Sequence, residues 1–115
     1  LNVYDNLAIV LNGCSKVDLD QKIYSMIKDL KLDGNAWKLP RELSGGMRNR
    51  VAMGRAFIFP SEVMLIDEPF RGLDEELKAE LINGVWKEKT MDKTVIVVTH
   101  NMDDAKKIGD KIIRI

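Results

Sequence analysis

Val63-Met64-Leu65-Ile66-Asp67-Glu68 decides how this chain is read. Four apolar residues run without a polar break, two carboxylates follow together, and Pro69 comes next. Such a run predicts a strand covered on both faces, as in a parallel sheet. Pro69 has no N–H to donate, so ladder pairing should stop there. Asp67 and Glu68 then stand where the strand leaves the sheet, the C-terminal edge at which open α/β sheets bind ligands. Neighbouring residues of an extended chain project to opposite sides, so the two carboxylates can do different work. One suits a Mg²⁺ ion held through its water shell, because Mg²⁺ is a hard cation that prefers oxygen. The other suits accepting a proton from, or orienting, an attacking water. The plainer alternative is a strand end followed by a solvated acidic turn.

Downstream, Phe70-Arg71-Gly72-Leu73-Asp74 reads as a turn, with Asp74 placed to cap a helix from Glu75 to about Lys89. Leu77, Leu81, Ile82, Val85 and Trp86 give that helix its apolar stripe. Met91-Asp92-Lys93 turns the chain into Thr94-Val95-Ile96-Val97-Val98-Thr99, a β-branched second strand that ends at His100-Asn101. His100 is the only histidine; it is either a hydrogen-bonded turn residue or a second functional group at the same sheet edge. A short helix from Met102 to Ile108, a stop at Gly109 and a last strand from Lys111 to Ile115 are expected to follow. Strand–helix–strand–helix–strand is a parallel α/β pattern. It predicts Asp67, Glu68 and His100 along one edge.

Upstream, Leu43-Ser44-Gly45-Gly46-Met47-Arg48-Asn49-Arg50 leads into a helix that Pro60 stops near Phe59. Ser44 is a good N-cap, and the two glycines let the backbone come close to a ligand. The first turn of such a helix offers free N–H groups and the positive dipole end to an anion, although an ordinary capped helix reads the same way. Before it, Val3 to Leu11 is broadly helical. A second helix, capped by Asp18 or Asp20 and running to about Leu30, carries Ile23, Met26, Ile27 and Leu30 on one face. Asp33-Gly34-Asn35 is a turn. The expected division is a helical subdomain over residues 1–58, ending in the Ser44 helix, and an α/β part over residues 59–115.

The 115 residues are 45% hydrophobic and 31% charged, which predicts a globular chain rather than a disordered one. Lys and Arg number 18, Asp and Glu 18, so the net charge of zero gives no nucleic-acid footprint. A single cysteine, Cys14, excludes an internal disulfide, fits an intracellular setting, and is not expected to have a functional role. No apolar run approaches membrane-spanning length.

Together these stretches resemble the ATP-binding-cassette (ABC) ATPases, over roughly Leu43 to Ile115. Leu43-Ser44-Gly45-Gly46-Met47 resembles the ABC signature motif, Val63 to Glu68 the Walker B strand with its catalytic glutamate, Gly72-Leu73-Asp74 the D-loop, and His100 the switch histidine. Order and spacing match for all four. Met47 stands where the family most often has Gln, and Asn49 and Arg71 are milder departures. Asp67-Glu68-Pro69-Phe70 and Leu1 to Leu11 are similar to importers of nitrate, sulfonate or taurine type. The resemblance implies a P-loop NTPase fold, with a helical subdomain beside a partial parallel sheet flanked by helices. It implies ATP and Mg²⁺ as cofactors, with Asp67 holding Mg²⁺ through water and Glu68 as general base toward the γ-phosphate. His100 would contact that phosphate. Ser44, Gly45, Gly46 and Met47 would close over an ATP held mainly by a second ABC subunit, and Asp74 would link the two subunits. The helices before Leu43 would meet transmembrane permease subunits, on the cytoplasmic face of the membrane.

The family also has a phosphate-cradling Gly-x-x-x-x-Gly-Lys-Ser/Thr loop. None of the eight glycines here is followed by Lys. The chain thus resembles the C-terminal half of a cassette, with the N-terminal half as an implied partner. Two consequences are expected: weak or absent Mg-ATP binding by these residues alone, and apolar surface left open beside the sheet. Two other readings compete with a transport ATPase. One is a non-catalytic remnant or regulatory piece that lends its signature motif to an intact cassette. The other is a DNA-repair or chromosome-organising ATPase, against which the short segment before Leu43 and the neutral charge both argue.

Overall fold

Three α-helices, with a 3₁₀ turn before the third, then a strand, a helical run, a second strand and a last helix follow one another in the computed structural model, which describes residues 1–11, 13 and 15–115. Cys14 lies outside the described residues. Helix α1 spans Val3–Ala8 and α2 spans Lys16–Asp29. The cap of α2 is Ser15, whose hydroxyl accepts from the Asp18 N–H, rather than Asp18 or Asp20. Asp20 instead receives the Tyr4 hydroxyl and ties α2 to α1. A short 3₁₀ turn, Pro40–Glu42, leads to α3, Gly45–Ile58. Strand β1 is Val63–Asp67, helix α4 is Glu75–Leu81, α5 is Lys87–Thr90, β2 is Thr94–Val98 and α6 is Met102–Ile108.

Leu7, Ile23, Leu30 and Leu32 are fully buried where the first three helices meet. Gly54 lets α3 approach closely: a Cβ there would lie 2.5 Å from Leu30 Cδ1 and 3.1 Å from Leu7 Cδ2. Arg50, also buried, donates to the carbonyls of Leu30 (3.0 Å) and Lys31 (3.1 Å), so α3 satisfies the end of α2. Burial lowers the pKa of its guanidinium, and nearby Asp74 opposes that shift. Trp86 joins the helices to the strand region, edge-on to Phe57 at 5.8 Å and tilted on Phe70 at 5.1 Å.

Three sequence expectations need correction. The helix after Asp74 is interrupted by a π-helical segment, Ile82–Trp86, which carries Val85 and Trp86 inward together. Residues 111–115 form no strand; Ile112, Ile113 and Ile115 stay exposed, with no described neighbour offering them a ladder. The sheet therefore has two parallel strands, in register from Val63↔Thr94 to Asp67↔Val98. Nor is β1 covered on both faces. Met64 is 3% exposed and packs into the core, whereas Leu65 is 74% exposed. Val63, Ile96 and Val98 are exposed beside it on the same face. The open apolar surface expected from the sequence is this face.

Candidate functional site

Both strands release their chains at the same edge. The β1–β2 ladder runs one residue further, the Glu68 N–H donating to the Val98 carbonyl at 2.8 Å, before the backbone turns sharply: Glu68 has φ +48°, in the left-handed region. This turn folds the Glu68 carboxylate back over the end of β2. Oε1 accepts from the His100 N–H at 2.8 Å, and Oε2 accepts from the Thr99 hydroxyl at 3.3 Å. His100 Nε2 stands 3.7 Å from Oε1, an ion pair when the imidazole is protonated. The Glu68 side chain keeps 16% exposure against 91% for His100, so the carboxylate is sheltered and the imidazole reaches into solvent. Thr99 also accepts from the Asn101 N–H at 3.1 Å, which orients its hydroxyl toward Glu68.

Asp67 lies on the open face of β1, exposed, and among the described residues its carboxylate has no hydrogen-bond or ion-pair partner. No cluster of three or more His, Cys, Asp or Glu side chains suited to a metal occurs among the described residues. A single free carboxylate is still the donor set that a Mg²⁺ ion retaining most of its waters requires, so Asp67 fits such an ion.

The start of α3 forms the second part of the site. Ser44 caps the helix through its hydroxyl, which accepts from the Met47 N–H at 3.1 Å. The two glycines differ. Gly45 is exposed, and a Cβ there would meet only Arg48 Nη2 at 3.9 Å. Gly46 is buried: a Cβ there would lie 2.9 Å from the Gly72 carbonyl oxygen and 3.2 Å from Leu73 Cδ2. Only Gly45 is therefore free to approach a ligand, and Gly46 is small because the 70–74 turn packs against it. Asn49 fastens the same junction, Nδ2 donating to the Arg71 carbonyl at 2.9 Å. Asp74 closes the turn by capping α4, accepting from the Leu77 N–H at 2.7 Å. The structure thus brings Glu68 to His100 and sets the Gly46 turn of α3 against Gly72. It leaves Asp67 apart from both hydrogen-bonded groups.

The arrangement gives an exposed, capped helix start, a held carboxylate beside a solvent-facing imidazole, and a free carboxylate at one sheet edge. The family model described as ABC transporter matches residues 1–71, which include the Ser44 helix start, Asp67 and Glu68. The chain belongs to the ABC transporter family. ABC relatives include the sulfate/thiosulfate import ATP-binding protein CysA 2 of Shewanella oneidensis, 38% identical over 98% of this chain and 34% of that protein. The sn-glycerol-3-phosphate import ATP-binding protein UgpC of Vibrio vulnificus is 38% identical over 98% of this chain and 31% of its own length. The molybdate/tungstate import ATP-binding protein WtpC of Pyrococcus abyssi is 35% identical over 97% and 33%. The chain thus spans about one third of the length of these curated relatives. A solved dimer of the ATP-binding cassette MJ0796 bound to ADP and Pi is similar at a TM-score of 0.81 and 28% identity. It covers 93% of this chain and 49% of that one. The fold is that of the P-loop NTPase ABC cassette, with its helices and a small parallel sheet. Thr99 and Asn49, which fasten Glu68 and the 70–74 turn, gain these contacts across 31 and 22 residues, and nothing in the local sequence marks either contact.

Proposed function

We propose that this chain is the ATP-hydrolysing part of an ATP-binding subunit that energises an ABC-type membrane importer. The observation that carries this reading is the Glu68 carboxylate held at 2.8 Å by the His100 N–H, at the sheet edge where β1 and β2 both end. In this role Glu68 takes the proton of the attacking water, and His100 stabilises charge developing on the γ-phosphate. Asp67 would hold Mg²⁺ through its water shell, which would supply charge neutralisation at the phosphates. Ser44, Gly45 and Met47 present the helix start to the nucleotide of a second ABC subunit, Gly46 seats that start on the 70–74 turn, and Asp74 meets the second subunit. The organisation is a helical subdomain over residues 1–58, facing the transmembrane permease, and an α/β part over residues 59–115. Among the described residues no helix is long and apolar enough to cross a membrane; the place on the cytoplasmic face belongs to the importer reading itself. The open face of Val63, Leu65, Ile96 and Val98 supports a further partner that covers the sheet, the N-terminal half of a cassette. The relatives are named for import of sulfate/thiosulfate, sn-glycerol-3-phosphate and molybdate/tungstate, so the nitrate, sulfonate or taurine type rests on the sequence resemblance alone.

A second reading is favoured by one sequence fact: no glycine in the 115 residues is followed by Lys, so these residues contain no phosphate-cradling loop. On that reading the chain lends its signature motif to an intact cassette and hydrolyses nothing itself. The deciding experiment is Mg²⁺-dependent ATP turnover by the polypeptide that the native gene produces, with its intact mass measured alongside. The ATPase reading expects Glu68→Gln to lower turnover by about 10² to 10⁴. Turnover unchanged in that variant would overturn the assignment of Glu68. No turnover by either form would support the second reading.

A further inference from the structure

Lys78 and Asp104 form an ion pair that the proposed chemistry does not use. Lys78 Nζ lies 2.8 Å from Asp104 Oδ1, and the two side chains keep only 6% and 7% exposure. The pair joins α4 to α6 across 26 residues of sequence. Two charges withdrawn from water in this way persist only with close geometry, and removing one leaves the other stranded.

Each partner is built into a helix cap. On one side Asp74 begins α4, its side chain accepting from the Leu77 N–H at 2.7 Å and its carbonyl accepting from the Lys78 N–H at 3.0 Å. On the other side the Asp104 N–H donates to Asn101 Oδ1 at 3.0 Å, and the Asn101 N–H donates to Thr99 Oγ1 at 3.1 Å. His100, between them, donates its N–H to Glu68. The ion pair is therefore a second lateral bond, beside the Glu68–His100 contact, between a cap that starts at Asp74 and a cap that starts beside His100. Glu75, at 3.1 Å from Lys78 Nζ, and Lys107, at 3.6 Å from Glu75 Oε2, extend the network into solvent, where screening weakens it. The Lys78 pKa is raised, first by its hydrogen bond to Asp104, as expected for a held ammonium.

We propose that the buried Lys78–Asp104 pair is a positioning device that makes the Asp74 turn and the His100 end of β2 move as one body. Its functional meaning rests on the roles given above to Asp74 and His100: a displacement of Asp74 by a second subunit is passed to the group that meets the phosphate. Lys78 and Asp104 act through the two caps, and the coupling they carry is reciprocal.

Amide hydrogen exchange on the polypeptide that the native gene produces tests this without nucleotide. The reporters are the Leu77 N–H at the Asp74 cap, the His100 N–H on Glu68, and the Leu30 N–H in the distant helical core. Lys78→Met should speed exchange at His100 by about tenfold, although Lys78 lies on the other helix, and Asp104→Leu should do the same at Leu77. Leu30 should change far less in both, and Lys78→Arg should restore slow exchange at His100. If Lys78→Met does not fold, Lys78→Gln carries the same comparison. The proposal is overturned if each variant loosens only its own helix, or if Leu30 accelerates as much as the two caps. Since no ATP is involved, failure of the turnover test leaves this coupling standing, and failure of the coupling leaves the ATPase reading standing.

Discussion

Gly45 and Gly46 are adjacent in sequence and in the same helical turn, yet alanine should act on them in opposite directions. Neither has a positive φ, so the backbone accepts alanine at both. Each substitution gains helix propensity, about 0.5–1 kcal/mol at best in a first turn. At Gly45 nothing offsets the gain, because the nearest atom to a new Cβ is Arg48 Nη2 at 3.9 Å, an ordinary contact distance. At Gly46 the new methyl meets the Gly72 carbonyl oxygen at 2.9 Å and Leu73 Cδ2 at 3.2 Å. The oxygen is backbone, and Gly72 itself sits at φ +79° with Gly46 N 3.4 Å from the place of its own missing Cβ, so the turn has little room to retreat. Overpacking of this kind costs about 1–3 kcal/mol. Gly45→Ala should therefore be neutral to slightly stabilising, and Gly46→Ala should be less stable than it by about 1–3 kcal/mol. Urea unfolding followed by tryptophan fluorescence reads the difference directly, and thermal midpoints should separate by about 5–10 °C. Equal stability of the two variants would refute the claim that Gly46 is small because of the turn, and would return it to a ligand-facing role.

Three further outcomes are expected. Arg50→Met removes the donor that serves the buried ends of Leu30 and Lys31, and should cost about 2–4 kcal/mol in urea titration. The Tyr4 hydroxyl is pushed up to about 12, first by its hydrogen bond to Asp20. The folded pKa lies above the unfolded one, so this contribution is complete below the ordinary value of 10.0 and is lost as pH rises toward about 12. The stability difference between wild type and Tyr4→Phe should shrink across that window and stay constant below it. Leu65→Glu and Ile96→Lys, both on the open sheet face, should reduce self-association in sedimentation velocity while changing folding stability by only about 0.5 kcal/mol. An unchanged sedimentation profile that remains self-associated would exclude that face as the contact.

Local chemistry in the sequence marked most of the element ends. Ser44 and Asp74 cap the helices assigned to them, and the strand run ends before Pro69 as its missing N–H requires. The candidate site was legible to the same depth: Glu68 and His100 do meet, since both are set by where two short parallel strands stop. What escaped depends on contacts between distant segments. The interior π segment has no residue that announces it, since it arises from turning Val85 and Trp86 into one core. Lys78 and Asp104 each look like solvated helix charges until α4 and α6 are packed side by side. Two adjacent glycines carry no mark of which one faces a neighbour. The expected last strand failed because an apolar run specifies a strand only where a partner edge exists.

The left-handed backbone at Glu68 bears on any effort to redesign this chain. An L-residue held at φ +48° costs about 1–2 kcal/mol relative to its relaxed form, a position that glycine or asparagine fills more readily. A library screened for thermal tolerance would weigh relief of that strain against the two hydrogen bonds that the carboxylate accepts from His100 and Thr99, which glycine would lose. The sign of a substitution at position 68 therefore reports which is larger, the relief of the turn or the loss of the carboxylate's hold on the end of β2.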